Sequence, residues 1–290
     1  MPSLKEYTLK LARLRNTRKM TKTMKLVSVN KLRKAREARR VADEFTEQVN
    51  RIMARVGGAR EPGMHPLLEP RKQVGSVCLV MMTSDRGMCG GFNNALIRRT
   101  MQWLQEQKAA GRQVELICCG RRGHTYMRSR ATVWKVVEEA TQHPSFEHAN
   151  RIGREVQQLY EGGRFDEVYL AFNRFNNVLS QTPTIDRLLP IDPAALCATA
   201  PEADGEKWLF EPTKTAVLEG LLPRLISLNV YAALLNNAVG EHGARMTAMD
   251  NATTNADKLI GTLTLLRNRA RQAEITTELI EIVAGAEALK

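Results

Sequence analysis

An apolar heptad repeat fills the last third of this 290-residue chain and limits its possible folds more than any other feature. Stepping alternately by four and three residues, sixteen of twenty positions are apolar, and no proline follows Pro223. A repeat of 3.5 residues held this long is typical of a left-handed coiled coil, and at 1.5 Å per residue it predicts a rod of about 100 Å. We therefore expect a molecule that reaches or transmits, not an enzyme built around a pocket. The positions are Val217, Leu221, Arg224, Leu228, Tyr231, Leu235, Ala238, His242, Arg245, Met249, Ala252, Ala256, Leu259, Leu263, Leu266, Ala270, Ala273, Thr277, Ile280 and Ala284.

The N-terminal 60 residues predict a second long helix. Residues 3–57 contain no proline, and their only glycine is Gly57. The apolar residues fall into two phases, which predicts a loosened seam across Asn16–Thr21, where weaker helix formers lie. We expect one helix that ends at Gly57-Gly58. The first phase is Leu4, Tyr7, Leu11 and Leu14, and the second is Met20, Met24, Val27, Ala38, Val41, Phe45 and Ile52.

Between these helices, strand and helix patterns alternate, which predicts an α/β (Rossmann-like) domain with a largely parallel sheet. The predicted helices are Asn93–Ala110 and Phe146–Tyr160. The predicted strands are Val74–Thr83, Val114–Gly120, Thr132–Val137 and Glu167–Phe172, with Thr182–Leu189 as an edge strand. The expected domains are an N-terminal coiled-coil helix (1–60), the α/β domain (70–192), a linker rich in proline and alanine (193–210) and a C-terminal coiled-coil helix (211–290).

Neither long helix can bury its apolar stripe alone, so we predict that the two pair as an antiparallel coiled coil beside the α/β domain. The C-terminal helix is longer by 15–20 residues, or about 25 Å. Its far end is apolar on nearly every side, and such a helix is normally buried. We infer that another protein encloses this tip; the alternative is a frayed, disordered tail. The apolar tip residues are Leu279, Ile280, Ile282, Val283, Ala284, Ala286 and Leu289.

The net charge of +12 lies entirely in the first helix. Residues 1–60 hold 17 Lys and Arg against 5 Asp and Glu, and the rest of the chain is balanced. Such a segment is either a solvated helix face or a contact for an acidic protein, a nucleic acid or an anionic lipid. A coiled-coil nucleic-acid-binding protein is therefore an alternative function, although no base-reading module is present.

Recognisable catalytic motifs are absent from the sequence. One glycine-rich stretch, residues 84–91, lies at a strand-to-helix turn and contains Asp85, Arg86 and Cys89. We expect it to serve chain reversal, with a catalytic or phosphate site as the alternative. The five cysteines and five histidines lack metal-site spacing, so we predict no cofactor, no metal and reduced thiols. No apolar run approaches the ~18–20 residues of a membrane span, and the N-terminus lacks a signal-peptide core.

Several segments together resemble the gamma subunit of F-type ATP synthases from end to end. The N-terminal ones are RNTRKMTKTMKLVS (15–28) and KLRKA (31–35), followed by SDRGMCGG (84–91) and EHGARMTAM (241–249). The most specific are NAT (251–253), NA (255–256), RARQAEIT (269–276) and ELIEIVAGA (278–286). Asn30, Asn236-Asn237 and Gly243 depart from the family pattern. Cys197 has no partner for the thiol switch of chloroplast members, so we expect that switch to be missing and the chain to be a divergent bacterial form.

The resemblance implies a non-catalytic rotor shaft. In the family, a coiled coil stands inside a hexamer of alpha and beta subunits, and the α/β domain sits at its foot, against the epsilon subunit and the membrane c-subunit ring. It implies a peripheral position on the cytoplasmic face of a bacterial inner membrane, with no nucleic-acid partner. It also implies rotor–stator contacts at Met24, Lys25, Arg271, Gln272 and Thr276, and an axle tip at Leu279, Ile280, Ile282 and Val283. Met24 could instead be an ordinary seam residue, and Arg271 a solvated helix charge.

Overall fold

The computed structural model describes residues 3–57, 65–192, 211 and 213–287. The predicted linker 193–210, with Cys197, lies outside the described residues, as do Gly58 and Leu289. Two helices are much longer than the others: α1, Leu4–Gly57, with 54 residues, and α5, Lys214–Glu287, with 74. The described chain forms two compact units. The coil unit is Met1–Ser28 with Arg245–Lys290, and the α/β unit is Val29–Ala244.

The α/β unit contains a five-stranded sheet in the order β3-β2-β1-β4-β5. The strands are β1 Ser76–Met82, β2 Gln113–Cys119, β3 Thr132–Val137, β4 Glu167–Phe175 and β5 Gln181–Leu189. All neighbouring strands are parallel except β4 and β5, which are antiparallel. The predicted sheet and its edge strand are therefore confirmed.

Three shorter helices connect the strands: α2 Phe92–Ala109, α3 Arg121–Met127 and α4 Phe146–Glu161. The predictions for α2 and α4 were right to within a residue. Ser145 caps α4, because its hydroxyl oxygen accepts a hydrogen bond from the backbone N–H of His148 at 3.2 Å. Sequence reasoning missed α3 and a short 3-10 turn at Pro66–Leu68, since a helix of seven residues is too short to show a periodic apolar pattern.

Each face of the sheet is covered by its own set of helices, so successive strand residues alternate between two cores. Val77, Leu79 and Met81 of β1 pack in a cluster with residues of α2. Cys78 and Val80, between them, pack in a second cluster with residues of α4, the first half of α5 and the end of α1. The central strand β1 is thus buried on both sides, which explains why Val77–Met82 are apolar without interruption.

The coil unit is an antiparallel pair of helices, as predicted. Three contacts across the pair establish the direction: Arg18 with Asp257, Thr21 with Thr253, and Lys25 with Asp250. As the residue number increases along α1, the number of the partner residue on α5 decreases. The two threonine hydroxyls lie 2.8 Å apart.

The predicted phase slip in α1 is wrong. The most protected positions follow one heptad phase from Leu4 through Leu11, Thr21, Ser28 and Leu32 to Met53. Most of the second apolar phase faces outward instead, since Met20, Val27, Val41 and Phe45 are exposed, whereas Met24, Ala38 and Ile52 are half-buried. Small polar residues occupy the seam because their hydroxyls are satisfied on their own helix: Thr21 donates to the carbonyl of Arg18, and Ser28 to that of Met24.

The predicted seam of α5 needs two corrections. Within the α/β unit Arg224, a predicted seam residue, is exposed, whereas Leu222 is fully buried, because α5 there packs a broad face into the core. Farther on, Leu259 is 53% exposed and Leu266 is 36% exposed. Their next neighbours, residues 260 and 267, are the more protected ones. An α-helix has 3.6 residues per turn, so its buried face drifts from a strict 3.5-residue repeat.

One described helix passes a composition test for a membrane span, contrary to expectation. A window within Ala216–Glu287 has a mean hydropathy of 1.3, and half of it is buried inside the protein. A long core helix reaches such a value without entering a membrane, so this feature is weak evidence of a span.

Candidate functional site

The predicted contact residues on α1 lie in the coil unit. Met24 and Lys25 are both half-buried. The Lys25 ammonium forms an ion pair with the Asp250 carboxylate of α5, so this side chain already has a partner within the chain. If Lys25 also contacts another protein, its ammonium group does so while it is paired with Asp250. The Met24 side chain has no polar group and forms no such pair.

Sequence reasoning missed the acidic partners on α5. Asp250 and Asp257 are one heptad apart, and so are Lys25 and Arg18 opposite them. This matching spacing was the available signal, because an antiparallel pair brings two such sets face to face. All four side chains are more than a third exposed, so each pair contributes little to stability, about 0–1 kcal/mol. The main role of these two ion pairs is to align α1 with α5.

The far end of α5 is uncovered. Every described residue from Arg271 to Glu287 is exposed, whereas Ala270 and several residues before it are partly covered. The cross-helix pairs place the start of α1, Leu4, opposite this same level of α5. The unpaired stretch is therefore about 25 Å long, as the difference in helix length predicts.

All the predicted contact and tip residues of α5 lie in this unpaired stretch. Arg271, Gln272 and Thr276 are exposed at its beginning. The large apolar side chains beyond them are 57–67% exposed and fall within five consecutive residues, so exposed apolar surface is concentrated there. They are Leu279, Ile280, Ile282 and Val283.

The tip is less uniform than the sequence reading suggested. Glu274, Glu278 and Glu281 recur at spacings of four and three, so they form one narrow acidic stripe along the helix. The remaining circumference is apolar or small, apart from Arg271, Gln272, the threonines and Glu287 at the end of the helix. A protein that surrounds this tip would therefore meet a different surface at each rotational angle.

The glycine-rich stretch 84–91, which we call the glycine loop, connects β1 to α2. It is held by hydrogen bonds within the α/β unit. Asp85 accepts hydrogen bonds from the backbone N–H of Arg121 at 2.9 Å and from the hydroxyl of Thr141 at 3.3 Å. The Asn93 side chain accepts from the N–H of Ser84 at 3.0 Å and donates to its hydroxyl at 2.7 Å. These contacts give the loop's polar groups a structural use, which favours the chain-reversal interpretation over catalysis.

The four described cysteines are buried, and none of them forms a disulfide with another described residue. Burial raises the pKa of the Cys118 thiol to about 12 and raises the pKa values of Cys78 and Cys119 further. Near neutral pH these thiols are protonated, and a protonated thiol is a poor nucleophile and metal ligand. Within residues 3–57, 65–192 and 213–287, no three histidine, cysteine or acidic side chains come together as a metal site.

Comparison with known proteins assigns the whole chain to one group. A family model described as ATP synthase matches residues 3–289. The ATP synthase gamma chains of Trichlorobacter lovleyi and Geobacter metallireducens are 39% and 40% identical, and that of an Anaeromyxobacter species is 43% identical. In each case the alignment covers 100% of both chains.

Solved structures share the fold. A chain of the Euglena gracilis mitochondrial ATP synthase, in an assembly described as OSCP, F1 and c-ring, aligns over 99% of this chain and 94% of its own length, with a TM-score of 0.70 and 21% identity. A central-stalk and c-ring structure from Tetrahymena thermophila contains a chain that aligns over 80% of this chain and 99% of its own length, with a TM-score of 0.59 and 23% identity.

Proposed function

The chain belongs to the ATP synthase gamma-chain family, and from this premise we propose that it is the central-stalk rotor of an F-type ATP synthase. It couples transmembrane ion flow to ATP synthesis or hydrolysis by rotating inside a hexamer of alpha and beta subunits. It has no active site of its own. Its α/β unit binds the epsilon subunit and the ring of c subunits, on the cytoplasmic face of a bacterial inner membrane.

The uncovered tip of α5 is the observation that carries this proposal. A stretch of about 25 Å with four large side chains 57–67% exposed is costly in water. An enclosing sleeve of alpha and beta subunits removes that cost. Leu279, Ile280, Ile282 and Val283 then form the axle end, while Arg271, Gln272 and Thr276 contact a beta-subunit loop at the mouth of the sleeve.

Co-purification tests the assembly directly. The chain, tagged at its N-terminus in its native host, is extracted from membranes with mild detergent and its partners are identified by mass spectrometry. We expect alpha and beta subunits in a fixed ratio to the tagged chain, with the epsilon and c subunits. A preparation that contains the intact chain without alpha and beta subunits would overturn the rotor assignment.

Met24→Lys tests the contact on α1. An unpaired charge placed in a buried protein contact costs about 2–5 kcal/mol, so we expect the assembled enzyme to hydrolyse ATP while pumping fewer ions per ATP. Val41→Lys is the matched control, since Val41 lies on the same helix, is 54% exposed and belongs to the α/β unit. Both activities are measured in inverted membrane vesicles. Normal coupling in Met24→Lys would rule out a beta contact at this residue.

A further inference from the structure

Gly261 lies within the part of α5 that belongs to the coil unit, and no contact requires a glycine there. The residue is exposed, and a Cβ at this position would meet nothing within 4 Å. At Gly153 of α4 and Gly240 of α5, by contrast, a Cβ would approach Ser227 and Phe92 to 2.9 Å. Glycine in a helix interior is destabilising relative to alanine. Gly261 therefore weakens α5 at this level without a compensating contact.

Two threonines beside Gly261 weaken the same turn of α5. Thr262 and Thr264 each donate a hydroxyl hydrogen bond to the carbonyl four residues earlier, at 3.2 and 2.7 Å. Such bonds compete with the helix's own N–H groups for these carbonyls, so they slightly destabilise a helix and often bend it. Threonine is also a weaker helix former than alanine or leucine. We call residues 258–265, which contain these three weak helix formers, the hinge segment.

Helix α1 also contains weak helix formers opposite the hinge segment. Gly261 lies about one turn beyond Asp257, so its level on α1 lies about one turn before Arg18, the partner of Asp257. Asn16 and Thr17 fall in that turn of α1. The Thr17 hydroxyl donates to the carbonyl four residues before it at 3.1 Å, as the threonines of the hinge segment do. Both helices are therefore weakened at the same level of the coil unit.

Contacts between the two helices are also weaker on the tip side of the Arg18–Asp257 pair. Among residues 3–17 and 258–287, no hydrogen bond or ion pair joins α1 to α5. Of the described α5 residues beyond Ala256, none is buried, and Leu265 is 64% exposed. Leu11, which is 2% exposed, is the buried residue of α1 on this side. The end of the coil unit is therefore held by a few apolar contacts.

We infer that the hinge segment is a hinge in the coil unit, at which the end of the coil tilts relative to the part below it. Regions with few buried apolar contacts and exposed backbone hydrogen bonds open most readily. Opening at this level breaks no polar contact between the helices, and the Arg18–Asp257 pair marks its lower boundary. The hinge lets the exposed stretch Arg271–Glu287 follow a surrounding partner while Arg18 and Asp257 stay paired.

Hydrogen exchange of the full chain, resolved by mass spectrometry of overlapping peptides, tests the hinge. We expect the amides of residues 258–265 to exchange at least about threefold faster than those of residues 250–257 and of residues 266–270. Fraying from the free end of α5 gives a different profile, in which the exchange rate rises steadily toward Arg271. Such a steady rise, without a local maximum at the hinge segment, would overturn the inference.

Gly261→Ala then tests the cause of the opening. The new Cβ meets nothing within 4 Å, so the substitution should slow exchange in the hinge segment about fivefold through helix propensity alone. Gly285→Ala is the matched control, because its Cβ also meets nothing within 4 Å, and it should leave exchange in the hinge segment unchanged. No response to Gly261→Ala, or an equal response to both substitutions, would contradict the inference. The hinge is a property of the chain itself, so a failure of the proposed function leaves this result unaffected.

Discussion

At the residue scale, Thr83 and two glycines hold the carboxyl edge of the sheet together. Thr83 is fully buried; its hydroxyl accepts a hydrogen bond from the N–H of Gly123 at 2.8 Å and lies 3.2 Å from the carbonyl oxygen of Gly120. Gly120 has a φ of +100°, and a Cβ there would collide with the carbonyl group of Thr83. The turn from β2 into α3 thus requires glycine for both conformation and space.

Gly120→Ala should destabilise the α/β unit strongly. The backbone strain and the collision with Thr83 act together, so we expect a loss of about 3 kcal/mol or more in the free energy of unfolding. Gly91→Ala is the control, because a Cβ at residue 91 meets nothing within 4 Å, and it should change stability by less than about 1 kcal/mol. Thermal and urea unfolding, followed by circular dichroism, measure both. Equal midpoints for the two variants would contradict this account of the turn.

The same scale explains why the buried face of α1 was misread from sequence. Leu4, Tyr7, Leu11 and Leu14 were assigned to the seam correctly, because apolar residues mark it there. Beyond them the seam passes through the polar residues Thr21 and Ser28. A pattern based on apolar residues alone therefore selects the exposed Met20 and Val27 instead. Hydroxyls that bond to their own helix become compatible with burial only once the helix has formed.

At the element scale, polar pairs align α1 with α5. In the coil unit, the α1 seam positions that follow Leu14 are Arg18, Thr21, Lys25 and Ser28, and none of them is a large aliphatic residue. Arg18, Thr21 and Lys25 instead meet Asp257, Thr253 and Asp250. Apolar packing specifies a helix register weakly, whereas each polar contact has one partner, so these pairs add specificity more than adhesion.

A charge-swap cycle at Lys25 and Asp250 measures this contact. Lys25→Asp alone places two carboxylates together and should destabilise the coil unit, whereas Lys25→Asp with Asp250→Lys should restore most of the loss. Because both side chains are more than a third exposed, we expect a coupling energy of about 0.5–1 kcal/mol, largely screened in 1 M salt. Hydrogen exchange of α1 amides provides the measurement.

The control for this cycle is Arg40 with Glu44, an ion pair within α1 itself. Swapping its charges leaves the pairing of the two helices unchanged, so exchange in α5 should not respond. A coupling at Lys25 and Asp250 that persists in 1 M salt would contradict an exposed ion pair. No coupling at low salt would mean that the pair has no part in alignment.

The elements themselves were predictable in proportion to their length and regularity. The central strand β1 is an uninterrupted apolar run from Val77 to Met82, and the two long helices are extended, proline-poor periodic segments. Helix α3 shows no such pattern, since its buried residues include only Met127 and Gly123. The exposed Leu259 in the predicted α5 seam shows a further limit: a strict heptad fitted to sequence cannot follow the drift of a real helix over many turns.

At the scale of the whole chain, the difference in length between the two helices matters most. Helix α1 has 54 residues and α5 has 74. Because the two helices are antiparallel and α1 begins at Leu4, the stretch Arg271–Glu287 of α5 extends past α1 and is exposed. Its existence was therefore predictable from sequence. Its contact residues remain a prediction, because the partner that covers them is another protein.

Removing the tip should weaken assembly with other subunits without affecting the folding of the chain itself. A chain truncated after Ala270 keeps every residue of α5 that α1 covers, so the thermal unfolding midpoint of the α/β unit should match that of the full chain. Each large apolar tip side chain is worth about 1 kcal/mol or more when a partner buries it. The truncated chain should therefore assemble weakly with alpha and beta subunits, and membranes containing it should lose most ATP-driven ion pumping.

A full-length control separates the tip's apolar surface from its length. Leu279→Gln with Ile282→Gln and Val283→Gln keeps the helix but replaces three exposed apolar side chains by polar ones of good helix propensity. We expect coupling between that of the full chain and that of the truncated chain, with unchanged stability of the isolated chain. If both variants pumped ions at the full rate, the tip would not be an enclosed axle end. If only the truncated chain failed, reach would matter and apolar contact would not.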